Sequence, residues 1–305
     1  MGVSLLIRSS QLSLLAALAV CALPATATGD AQLIRAGRFQ QARVELEQDL
    51  KTSDSAAAHC NLGIALLHLR NYRPALEHLL RATTMDSTLT PAWLNLAACY
   101  ICLNEFDRAI AAYKKVEILM PQSTPALNQL IDFLGNASRS DETTPDYAQS
   151  RWKQWDRSKV VRVYIAHHAR YRPIALQQLA QIQRAAHLQL VPAESKESAD
   201  LLVDWIDPPK NTMLLERGTT SCVARNGKIV GAIVEISIGN ETGLDFLSDE
   251  TMRKACLHEF LHALGIEGHS SCVEDVMFPM IELPTVEGRL TERDKATIRQ
   301  LYQSE

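Results

Sequence analysis

Shifted by 34 residues, the first half of this chain repeats itself, and that period leaves few folds open to it. Asn61-Leu62-Gly63 falls on Asn95-Leu96-Ala97, Tyr72 on Phe106, Ala75 on Ala109 and Ala82 on Val116. A degenerate copy lies about 33 residues further upstream, where Arg38-Phe39 and Ala42 match Asn71-Tyr72 and Ala75. The apolar residues within each copy recur at helical spacing, so one unit reads as a pair of helices joined by a turn. Small residues such as Gly63, Ala75, Ala97 and Ala109 let paired helices approach closely, and the aromatics fill the gaps between them. Each hairpin has an apolar face that only its neighbour covers, so about three units are the least that stand alone.

Trp93, Tyr100 and Pro121 supply an aromatic, an aromatic and a terminating proline at the positions such a unit wants. These residues resemble the tetratricopeptide repeat, with two good copies after a partial one and a capping helix over 124–135. The resemblance implies an all-α array over residues 28–135 whose concave groove binds a peptide or partner protein; a bare spacer or scaffold is the alternative.

The full chain has 305 residues, 47% of them apolar and 22% charged, which suits two domains that each bury a core. Its formal charge is −4 and it contains no dense Lys/Arg run, which argues against nucleic acid and against a polybasic membrane anchor. Residues 1–27 read as a secretory signal: Arg8, then the apolar run Leu14 to Leu23, Pro24, and Ala25-Thr26-Ala27 as a small-x-small cleavage site. That run is too short to span a membrane. The mature protein is therefore expected to be exported, periplasmic or extracellular, with no membrane association after cleavage.

Removal of Cys21 with the signal would leave Cys60, Cys99, Cys102, Cys222, Cys256 and Cys272. In an oxidising compartment the expected pairs are Cys60 with Cys99 or Cys102, and Cys222 with Cys272. The alternative is that those in apolar helical patterns are simply buried small side chains.

Residues 136–158 are polar and lose the repeat, which predicts a linker with a short helix around Trp152 and Trp155. Asn136 and Asn240 head glycosylation sequons. From 159 to 305 the period changes. Val160 to Ala166 and Asp200 to Ile206 read as strands, and Pro173 opens a helix through Ile174, Leu179, Ile182 and Ala186. Asn226-Gly227 is a two-residue hairpin turn between Ser221–Arg225 and Lys228–Ile238. The pattern describes an α/β (α+β) domain.

Near its end stands His258-Glu259-Phe260-Leu261-His262. On a helix His258 and His262 lie one turn apart on one face, so both imidazoles reach one metal ion, with Glu259 beside it to take a proton from bound water. Neutral imidazoles suit Zn2+. Gly265 follows where the helix must stop, His269 is available as the third ligand, and Asp275-Val276-Met277-Phe278-Pro279 comes next.

This order resembles the metzincin zinc peptidases, and Phe278-Pro279 with the final Leu290 to Tyr302 segment resembles the matrixin branch. The resemblance covers roughly Lys159 to Tyr302. It implies that His258, His262 and His269 hold zinc, that Glu259 is the general base acting on a zinc-bound water, and that Met277 packs beneath the metal. The third histidine stands one residue later than the family pattern, after Gly268, and the carboxylate of Glu267 is the rival ligand. The Ile229 to Val234 segment resembles the strand lining the family's cleft, where an extended peptide substrate pairs its backbone. No Pro-Arg-Cys-Gly latency segment occurs, so the repeats are expected to regulate or target the peptidase. The expected function is an exported zinc metalloendopeptidase acting on protein or peptide substrates. A non-catalytic zinc-containing binding or scaffold protein is the alternative, and the retained Glu259 weighs for the enzyme.

Overall fold

The computed structural model describes residues 5–8, 29–121, 124–138, 153–207, 218–239, 247–280 and 283–303. Apart from 5–8, the expected signal segment lies outside these residues, as do Cys21, Trp152 and Asn240. The chain divides into two compact units. Among the described residues no helix is long and apolar enough to cross a membrane.

The repeat unit is all helical: α1 (Gly29–Arg35), α2 (Phe39–Asp49), α3 (Ala56–His68), α4 (Tyr72–Met85), α5 (Thr90–Cys102), α6 (Phe106–Leu119) and α7 (Thr124–Ala137). Each hairpin turns through one left-handed residue, Gly37, Arg70 and Asn104, at φ 70°, 60° and 58°. The same pair of backbone bonds closes all three turns. Arg38 N–H donates to Leu33, Asn71 N–H to Leu66 and Glu105 N–H to Tyr100, at 2.9 Å or less. The 33- and 34-residue offsets therefore reappear as three copies of one helix-stop motif. The predicted packing residues Ala75, Ala97 and Ala109 are fully buried, as are Leu62, Leu79, Leu94 and Tyr113. The expected linker starts later than its polar composition suggests, because α7 continues through Asn136.

The second unit is built on one sheet. Its strands are β1 (Leu5–Arg8), β2 (Gln154–Trp155), β3 (Val160–Ile165), β4 (Gln189–Pro192), β5 (Leu201–Ile206), β6 (Gly218–Arg225) and β7 (Lys228–Ser237). They run in the order β1-β6-β7-β5-β3-β4, with β2 beside β7. β4, β3, β5 and β7 are parallel, while β6 is antiparallel to both β7 and β1. The β6–β7 hairpin turns at Asn226 and Gly227, both at positive φ (52° and 76°), as its sequence requires. The helices are α8 (Tyr171–Ala186), α9 (Asp249–Ala263) and α10 (Glu292–Gln303). α9 packs on α8 and against β6 and β7.

Trp155 corrects one expectation: it lies in strand β2, not in a linker helix, and is buried. The six described cysteines correct another. All are free thiols, five of them buried, so neither expected disulfide forms. Burial pushes the Cys60, Cys99 and Cys222 thiols up to about 12, the behaviour of inert small side chains.

Candidate metal centre

α9 begins at Ser248, whose hydroxyl accepts the N–H of Thr251 at 3.0 Å, with Asp249 and Glu250 in the first turn. From Lys254 to Ala263 every residue is buried. A helix this enclosed must satisfy its last carbonyls inside the protein. Trp155 does so with its indole N–H, 2.8 Å from the carbonyl of Ala263, and the Tyr302 hydroxyl with the carbonyl of Leu264 at 3.1 Å.

The helix stops at Gly265 for two independent reasons. Its φ is +105°, and a Cβ placed there would sit 1.7 Å from the carbonyl oxygen of Lys153. The stop lets Ile266 turn back, and its carbonyl lies 2.7 Å from Nδ1 of His262. Nδ1 of His258 lies 2.8 Å from the carbonyl of Val276. A carbonyl only accepts, so both rings carry their proton on Nδ1 and present an Nε2 lone pair.

Those two Nε2 atoms and Nε2 of His269 are buried and have no hydrogen-bond partner. The ring centroids form a near-equilateral triangle with sides of 4.9, 5.2 and 5.0 Å. One ligand atom from each ring falls within 4.8 Å of the other two. Burial, the largest cause in each case, depresses His258 to about 4 and His262 to about 3, and His269 also lies well below 6.5. Three neutral imidazoles with convergent, unpaired nitrogens are a donor set that would suit a divalent metal such as zinc.

The extra residue before His269 does not keep it from the cluster. The rival Glu267 turns elsewhere, its carboxylate 3.8 Å from the ammonium of Lys153. Met277 is buried, 1% exposed, and its carbonyl accepts the N–H of Ser270 at 2.9 Å. His168, which follows strand β3, stands apart from this cluster: it accepts the N–H of Tyr171 and stacks on its ring.

Glu259 is 3% exposed, and its side chain packs on β6. A Cβ at Gly218 would sit 2.5 Å from its Cγ, so this strand position has no room for a side chain. The Thr220 hydroxyl lies 2.7 Å from Oε2 of Glu259. Here the structure corrects the choice of strand. Ile229 to Val234 belong to β7, whose flanks are taken by β5 and β6, so β6 is the strand that reaches the glutamate. Thr220 and Trp155 carried no signal, since a threonine in an alternating strand and a tryptophan in a polar stretch have no motif spacing.

Residues 167–303 match the family model described as Matrixin, peptidase M10, and residues 90–117 match that of the tetratricopeptide repeat. No curated protein matches the chain. Each matched segment lies within one of the two units built above, so this protein joins a tetratricopeptide-repeat unit to a matrixin-like metallopeptidase domain.

Proposed function

We propose that the protein is a zinc metalloendopeptidase in which His258, His262 and His269 hold the metal and Glu259 is the general base. The observation that carries this reading is the convergence of three buried, unpaired Nε2 atoms beside a buried carboxylate. Zinc bound there supplies Lewis acidity, acidifying water and polarising the scissile carbonyl. Glu259 accepts the proton of the attacking water and returns it to the leaving amine. Thr220 holds that carboxylate by its hydroxyl, and the lack of a side chain at Gly218 makes room for it. An extended substrate pairs with the outer edge of β6, an edge that takes Leu5–Arg8 as an antiparallel strand in this structure. Loss of residues 1–27 as an export signal would free this edge. The repeats bind a protein partner or the substrate itself.

The test is proteolysis of a broad peptide library by the zinc-loaded protein beside its Glu259→Ala variant. The parent cuts, and the variant holds one zinc without cutting. If both hold one zinc and neither cuts, the reading fails in favour of a zinc-containing binding protein.

A further inference from the structure

The loop that delivers His269 carries an additional residue, and a polar knot behind it takes up the slack. Ser270 is fully buried, and its hydroxyl donates to Oδ2 of Asp275 at 2.6 Å while accepting the N–H of Cys272 at 3.1 Å. Asp275 is itself 1% exposed, and the same Oδ2 accepts Nε of Arg293 at 3.1 Å. Its Oδ1 lies 3.3 Å from the Thr291 hydroxyl, which donates more closely to Oδ2 of the neighbouring buried Asp294 at 2.7 Å. Arg293 and Thr291 stand at the start of α10, so Asp275 ties the residue after His269 to a separate helix. No hydrogen bond of Asp275 reaches the histidine ring, and the metallopeptidase chemistry above makes no use of it.

A carboxylate buried this deeply is costly unless its bonds are met, and breaking one partner of such a pair is strongly destabilising locally. Here the partners are chosen so that satisfying Asp275 also fixes the backbone at Ser270. Ser270 N–H meets the carbonyl of Met277 from the other side. The residue next to the imidazole is thereby held by both its main chain and its side chain.

We propose that Asp275, clamped by Arg293, is a positioning residue that sets the His269 imidazole for the metal through Ser270. The inference rests on His269 being a metal ligand. It assigns the zinc affinity of this displaced third histidine to a carboxylate outside the ligand set, as ligand-orienting partners elsewhere carry ~10- to 100-fold in metal affinity.

A double-mutant cycle on the full chain tests it, with zinc affinity measured by chelator competition at pH 7.5 and folding followed by circular dichroism. Asp275→Asn keeps the shape but sets an amide donor against Arg293, and Ser270→Ala removes the hydroxyl alone. Each weakens zinc binding ~10-fold or more in the parent. In a His269→Ala background the same changes shift affinity less than about twofold, because a positioning residue has nothing left to position. An equal loss in both backgrounds shows a general structural role and overturns the proposal, as does no loss in either folded variant. If His269→Ala alone leaves zinc affinity unchanged, the ligand assignment fails instead, a separate result.

Discussion

The hydroxyl of Thr220 lies 2.7 Å from the Oε2 carboxylate oxygen of Glu259, across the gap between strand β6 and helix α9. Both residues are buried, and the same hydroxyl also lies 3.0 Å from the main-chain carbonyl of Glu259, so it ties the strand to the helix at two acceptors. A hydrogen bond to a charged group of this kind is worth about 1.5–3 kcal/mol. Thr220→Val keeps the shape and removes the donor, and we expect kcat to fall ~10-fold with KM nearly unchanged. Thr220→Ser restores most of it. Steady-state kinetics of the three proteins on one peptide decides the matter. A matched fall in kcat for Ser and Val would show that packing, not the hydroxyl, is responsible.

Gly265 leaves no room for any side chain, because the Lys153 carbonyl occupies the place of its Cβ. Gly265→Ala has to displace that strand segment and accept a positive φ besides. The expected loss is about 3 kcal/mol or more of folding stability, read as a lower urea midpoint. A variant as stable as the parent would contradict the geometry.

Metal removal makes stability depend on pH in a defined direction. In the unfolded chain the three histidines take up protons near the ordinary value of about 6.5. The fold holds His258 at about 4 and His262 at about 3 by burial, so the native state refuses protons that the unfolded state accepts. Stability is then fully present above about pH 6.5 and declines as the pH falls toward 4. Thermal melts of the chelated protein between pH 8 and pH 4 should show this fall. His258→Gln should flatten part of it.

In the repeat unit, Ser55 accepts the N–H of Ala58 at 3.2 Å and caps α3, while α2, α4, α5 and α6 have no side-chain hydrogen bond at their N-caps. Ser55→Ala should cost about 1 kcal/mol and leave metal binding untouched. Equilibrium denaturation monitored on each unit separates the two effects; an equal loss in the peptidase unit would refute the assignment.

Much of this was legible along the chain because the governing distances are local. The three helix stops at Gly37, Arg70 and Asn104 repeat at the offsets read from the residues alone. His258 and His262 share a face because a helix puts residues four apart one turn from each other. The misreadings share one cause. Trp155 sits in a polar stretch and Ile229 to Val234 in an apolar β-branched run, and neither pattern encodes which strands become neighbours. The cysteine pairs failed for the same reason, since pairing depends on side chains meeting in space.

Residue order by itself determined the helical array, the α/β domain, the two histidines and glutamate on one helix, and the glycine that stops it. Tertiary structure alone decided that His269 and not Glu267 joins the cluster. It also decided that Thr220 of β6 meets Glu259, and that Asp275 and Arg293 brace the loop from a distant helix. Local spacing is enforced by backbone geometry within a turn or two, and a motif records it. Contacts between elements are set by sheet order and by the need to satisfy every buried polar group, which no short window of residues contains.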